Sequence, residues 1–184
     1  GHVISKEIRT GLISGTSVGG MDLTEEEYKK NINGEEVDPK GYTDHSSGVS
    51  SQGIARELGI NDFVNTISTA CSSANNAIMM GARMIKNDLL DRVVVGGADS
   101  LTLFTMNGFR SLMINDTEWC RPFDNSRQGI NLGEGAGFIV LEAEGIAKEE
   151  NIRTPVEIRR TFFLSKLNLE LVRSPSCFSK DSGK

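Results

Sequence analysis

The stretch Asn65–Lys86, NTISTACSSANNAIMMGARMIK, decides how the rest of the chain is read. Its β-branched opening, Thr66-Ile67-Ser68-Thr69, has the composition of a strand. The small residues Ala70-Cys71-Ser72-Ser73 then permit a sharp turn. Beyond them Ala74, Ala77, Ile78, Gly81, Ala82 and Ile85 recur at three- and four-residue steps, the period of a helix. Met80 and Met84 widen that apolar surface, so the helix is expected to be largely buried as far as Arg83 and Lys86. Cys71 therefore falls where a strand hands over to the first turn of a helix. The unpaired N–H groups and positive dipole end of a helix N-terminus favour a thiolate there. Its own N–H is a candidate donor to an oxyanion. Cys71 is the candidate nucleophile.

Working outward, Asp91-Arg92 leads into Val93–Ala98, a continuous apolar run typical of a strand covered on both faces. Strand, helix and strand in this order make a βαβ-sized unit. Upstream, Gly11–Ser14 reads as a short buried strand that runs into the glycine-rich turn Gly15–Gly20. Leu23–Lys30 reads as a solvated helix with Thr24 as N-cap, and Asn31–Tyr42 as a polar loop. Ser47–Leu58 reads as a helix ended by Gly59. Downstream, Thr102–Met113 is apolar and Trp119–Asp124 is a loop held by Pro122. Gly129–Glu142 carries four glycines before a strand at Phe138–Leu141. Glu144–Glu150 reads as a charged helix and Val156–Ile158 as one more strand. Strands alternating with helices make the chain α/β. Thr161–Lys184 has no clean periodicity and reads as a tail, which divides the chain into 1–160 and 161–184.

The 184 residues suffice for one domain with a proper core. A formal net charge of −5 argues against nucleic acid as a main partner. No apolar run has the length of a membrane span, and no secretory pattern opens the chain. Cys71, Cys120 and Cys177 form no CxxC pair, and with only His2 and His45 beside them no metal site and no cofactor are expected. A reducing cytoplasm is the expected compartment.

Thr69-Ala70-Cys71-Ser72-Ser73 resembles the nucleophile segment of the β-ketoacyl-acyl-carrier-protein synthases, the elongating condensing enzymes of fatty-acid and polyketide synthesis. Gly11–Gly20 is similar to that family's glycine-rich segment, and Val93–Asp99 to its VVxGGAD-like strand. Arg121-Pro122-Phe123-Asp124 and Asn131–Gly137 match its RPFD and LGEGAG signatures in order. The resemblance, closest to the long-chain elongating type, implies a thiolase-like layered αβαβα fold, here mostly its N-terminal half, and a homodimer. It implies that Cys71 accepts an acyl group from an acyl-carrier-protein thioester. Decarboxylation of a malonyl thioester then supplies the carbanion for condensation. The family's catalytic histidines and lysine lie downstream of LGEGAG, beyond these residues, so condensation by residues 1–184 alone is not expected.

The same residues allow rival readings. Gly15-Thr16-Ser17-Val18-Gly19 is a literal G-x-S-x-G, but a serine-hydrolase elbow needs a buried helix after Ser17, where Met21–Lys30 is charged. A turn packed near the active site is the better reading. Gly133, Gly135 and Gly137 precede a strand rather than follow one, opposite to a dinucleotide fingerprint; a tight backbone approach near the cleft is expected. Glu134 reads equally as a charge near the site or a loop carboxylate, and His45 as a surface or capping residue. Cys120 and Cys177 have no strand-to-helix setting. The alternative from another class is a non-catalytic fragment that binds acyl carrier protein or a full ketosynthase.

Overall fold

The computed structural model describes residues 8–150 and two short strands at 156–158 and 171–173. In chain order the elements are β1 (Thr10–Gly15), α1 (Met21–Ile32), α2 (Pro39–Thr43), α3 (Ser47–Leu58), β2 (Phe63–Ile67) and α4 (Ser73–Lys86). There follow β3 (Arg92–Asp99), α5 (Leu103–Ser111), β4 (Gly135–Glu142), α6 (Glu144–Glu149), β5 (Val156–Ile158) and β6 (Leu171–Arg173).

Four strands form one sheet in the order β2-β1-β3-β4. β1 is parallel to both neighbours, Gly15 lying opposite Ile67 on one side and Gly97 on the other. β4 runs antiparallel to β3, from Arg92 opposite Glu142 to Asp99 opposite Gly135. Alternation along the strands sorts two apolar layers. Ile13, Val93 and Val95 face Ala77 of α4, with Ile78, Met84, Ile85 and Leu141 packed around them. Leu12 faces the other way, toward Ala55 and Ile54 of α3, with Val94 and Phe138. Helices therefore cover both faces, which is why the Val93–Val95 run carries no polar alternation. A Cβ on Gly81 would stand 2.5 Å from Val95 Cγ1, so the glycine sets how closely α4 approaches β3.

Several elements differ from the reading of the sequence. Ser68 and Thr69 lie outside β2, which ends at Ile67. α1 starts at Met21 with Gly20 as N-cap, so Thr24 is inside the helix and its hydroxyl donates to Gly41 O at 3.0 Å. The polar 31–42 region holds α2, begun by Pro39 and capped by Asp38, which accepts from Lys40 N at 2.9 Å. α4 is less buried than its period suggests: Ser73, Ala77, Met79 and Gly81 are buried, whereas Ala74 and Asn75 are exposed. β4 begins at Gly135, because Gly135, Ala136 and Gly137 pair with Asp99, Ala98 and Gly97. α3 agrees with its reading, Gly59 ending it at φ 67°. β5 pairs antiparallel with β6; apart from Leu171–Arg173, the 161–184 segment lies outside the described residues.

Candidate active site

The chain leaves β2 and reverses within Thr69–Ser73. Ala70 adopts φ 54°, a left-handed conformation that an L-residue enters at a cost of about 1–2 kcal/mol. Ser73 holds the turn closed: its N–H donates to Ala70 O at 3.0 Å and its hydroxyl to the same oxygen at 2.6 Å. Ser73 Oγ also accepts from Thr69 N at 2.9 Å. On the outer side Ser72 Oγ donates to Thr69 O at 2.7 Å, and Asn76 Nδ2 donates to Thr69 Oγ1 at 2.8 Å. Ser72, the N-cap residue, thus turns its hydroxyl back to the turn and does not cap α4. Cys71 sits at the apex, exposed, where the amides of the first helical turn begin. A strained residue locked by its neighbours at the mouth of a helix is a geometry suited to presenting a nucleophile.

The glycine-rich turn lies directly beneath. A Cβ on Gly15 would fall 2.6 Å from Ala74 N. Thr16 N donates to Ile67 O at 3.0 Å, and Thr16 O lies 3.4 Å from Ser73 Oγ. The turn is in turn wound around one carboxylate oxygen at the end of β3. Asp99 Oδ1 accepts from Thr16 Oγ1 at 2.6 Å, Ser17 N at 2.7 Å and Val18 N at 3.3 Å. Burial pushes this carboxyl up, but the Thr16, Ser17 and Val18 donors outweigh it and hold the group below the usual carboxylate range.

A second set of carboxylates fixes α5. Glu25 of α1 accepts from Leu103 N and Phe104 N, each at 2.8 Å, an anion seated on a helix N-terminus. Glu134 accepts from Leu101 N at 3.1 Å. Beyond α5, a cleft of about 240 Å³ is lined by Met106, Asn107, Arg110, Asn115, Asp116 and Ile130 among others. It does not include Cys71. Asp116 ties the loop below this cleft: Glu118 N and Gln128 N donate to it and Arg121 lies 3.7 Å away, and these partners hold its carboxyl down.

Of the segments singled out in the sequence, the structure brings the Thr69–Ser73 turn that carries Cys71 against the Gly15–Gly20 turn, through Ser73 and Ala74. Ser17 is exposed and bonds through its N–H to Asp99, as a turn packed near the site would. His45 is exposed and pairs by Nδ1 with Thr24 Oγ1 at 3.0 Å. Cys120 lies exposed in the 119–124 loop; His2 and Cys177 lie outside the described residues. Gly133, Gly135 and Gly137 correct the expectation of a tight approach, since a Cβ on any of them would meet open space. The close approaches belong to Gly96, whose Cβ would run into Gly137 O, and to Gly97, 2.7 Å from Gly15 O. Among the described residues no group of three or more His, Cys, Asp or Glu is placed to hold a metal ion. Residues that the sequence reading missed are Ser73, Asp99 and Glu25. A carboxylate closing a buried strand was the available signal for Asp99.

The profile of the beta-ketoacyl synthase N-terminal domain matches residues 3–146. The chain belongs to the beta-ketoacyl synthase family. Nodulation protein E of Rhizobium meliloti is 32% identical over 143 residues, 74% of this chain and 34% of that protein. The chloroplastic 3-oxoacyl-[acyl-carrier-protein] synthase I of Hordeum vulgare is 29% identical over 157 residues, 77% of this chain and 33% of that protein. The solved ishigamide ketosynthase/chain length factor superposes with a TM-score of 0.76 at 29% identity, covering 83% of this chain and 39% of that one. The chain spans about a third of the length of the curated relatives it matches. Its sheet, with α3 on one face and α4 on the other, is the N-terminal part of the thiolase-like layered fold. No helix among the described residues is long and apolar enough to cross a membrane.

Proposed function

We propose that this chain is the N-terminal part of a β-ketoacyl-acyl-carrier-protein synthase in fatty-acid or polyketide synthesis, with Cys71 as its acyl-accepting nucleophile. The single observation that carries the reading is the locked turn: Cys71 stands exposed between the left-handed Ala70 and the first turn of α4. The Cys71 thiolate attacks the carbonyl carbon of an acyl thioester. The C–S bond to the carrier breaks, the carrier leaves as a thiolate that takes a proton from water, and the acyl group stays on Cys71. Amides at the start of α4 donate to the tetrahedral oxyanion. In the whole enzyme a malonyl thioester loses carbon dioxide, and the resulting carbanion attacks the acyl group and releases the Cys71 thiolate. Acyl carrier protein is the proposed partner by similarity to the barley 3-oxoacyl-[acyl-carrier-protein] synthase. The whole protein is proposed to act as a homodimer in the cytoplasm, with the family domain running over 1–160 and 161–184 as a tail outside it.

The test is acylation of Cys71. Residues 1–184 incubated with an acyl-carrier thioester should gain one acyl mass on the Cys71 peptide, and Cys71→Ala should gain none. Acylation that persists in Cys71→Ala overturns the assignment. The same preparation should release no carbon dioxide from malonyl thioester above a no-enzyme control, since decarboxylation falls to residues beyond these. A second reading, a fragment whose role is to bind a partner, draws on exposed apolar side chains: Met113, Trp119 and Phe123 are each 90% or more exposed. Binding of acyl carrier protein without transfer to Cys71 would favour it.

A further inference from the structure

Three residues, Asp99, Thr16 and Ser73, link the end of β3 to the Cys71 turn, and none of them bonds to Cys71 through its side chain. Asp99 Oδ1 gathers Thr16 Oγ1, Ser17 N and Val18 N, while Thr16 Oγ1 accepts from Gly19 N at 3.0 Å. The 16–19 loop is thereby wound on one anionic oxygen. Thr16 then grips the nucleophile turn from both sides. Its N–H holds Ile67 O, the last carbonyl of β2 before the turn, and its carbonyl faces the Ser73 hydroxyl after it. Ser73, 3% exposed, closes on Ala70 O and receives Thr69 N–H. Gly15 adds contact without slack, because its backbone lies against the Ser73–Ala74 peptide.

We propose that Asp99 is a positioning residue for Cys71, acting through Thr16 and Ser73 to hold Ala70 in its left-handed conformation. An isolated L-alanine does not stay there, so the conformation persists only while the surroundings over-determine it. Three converging donors call for an anion rather than a neutral acceptor, since charge-assisted bonds are about twice as strong as neutral ones. Cys71 is already exposed, so loosening the turn gains nothing by uncovering the thiol. It loses the aim of the first-turn amides instead. The chemical consequence rests on the reading of Cys71 as nucleophile; the mechanical one does not.

The experiment measures both on the full chain. Hydrogen exchange of the peptide 65–76 reports the Thr69 and Ser73 amides, and α3 serves as reference for global opening. In Asp99→Ala and in Thr16→Val, exchange at these amides should rise about tenfold with α3 unchanged, the effect of losing about one hydrogen bond. Iodoacetamide labelling of Cys71, normalised to Cys120 in the same molecules, should fall about fivefold, with Asp99→Asn recovering part of it by keeping one acceptor oxygen. Unchanged exchange at Ser73 in folded variants overturns the inference. Should Asp99→Ala not fold, Thr16→Val removes the same link at nearly constant shape, and its exchange at Ser73 decides the matter in the same way. Wild-type Cys71 that labels no faster than Cys120 defeats the nucleophile reading, and the exchange result still decides the clamp.

Discussion

Replacing Gly15 with alanine separates close packing at the site from ordinary glycine effects. Gly15 is buried at the end of β1, pinned opposite Ile67 and Gly97. An added Cβ would stand 2.6 Å from Ala74 N and from the Ser73 carbonyl carbon, and 2.8 Å from Ser73 O. All three neighbours are backbone, so no side chain can swing aside. Either the first turn of α4 moves outward or β1 loses register at its end. Overpacking of this kind costs about 1–3 kcal/mol, and the stiffer unfolded chain returns about 0.4–1 kcal/mol. The net loss should be about 1–2 kcal/mol, a shift of about 0.5–1 M in the urea midpoint for an m-value near 2 kcal/mol/M. Gly53 in α3 is the control: its Cβ would meet nothing within 4 Å, so Gly53→Ala should gain about 0.5–1 kcal/mol. Gly15→Ala should also slow Cys71 labelling, because the residues displaced are the ones that close the turn. A Gly15→Ala midpoint at or above wild type would falsify the packing argument.

Two further outcomes follow from the same geometry. Ala70→Gly removes a left-handed strain of about 1–2 kcal/mol and adds about 0.5–1 kcal/mol of chain entropy, so urea unfolding should show a gain of up to about 1.5 kcal/mol. A loss above about 1 kcal/mol would show that the Ala70 methyl, not the backbone, is what matters. Asp99 is held below the usual carboxylate range, so the unfolded chain binds the proton more readily than the folded one. Its contribution is complete above the unfolded value of about 4 and disappears as pH falls through the lower folded value. The urea-midpoint gap between wild type and Asp99→Asn should therefore be full near neutrality and narrow below about pH 4. A gap constant over that range would assign the effect to shape alone.

How much was legible varies with the range of the interaction. α3 and Gly59 agree with their sequence reading because periodicity and a left-handed C-cap are local. The helical period of α4 was equally plain, but which side of it is buried was not. Ala77 and Gly81 are the residues that meet Val93 and Val95, because the packing of α4 on β3, which the period does not contain, selects the covered side. β4 starts at Gly135 rather than Phe138, since glycines carry no strand signal until a partner strand supplies their hydrogen bonds. Thr24 has the residue type of a cap, yet the turn at Gly20 placed it inside α1.

By itself the sequence determined the strand–turn–helix at the centre of the chain, the apolar β3 run and the motifs that mark the family. Each depends on residues within a few positions of one another. Only the tertiary structure decided that Asp99 meets Thr16, 83 residues away, and that Glu25 seats α5 from 78 residues upstream. A carboxylate's partner is whichever donors the packed sheet delivers to it, and no spacing along the chain encodes that.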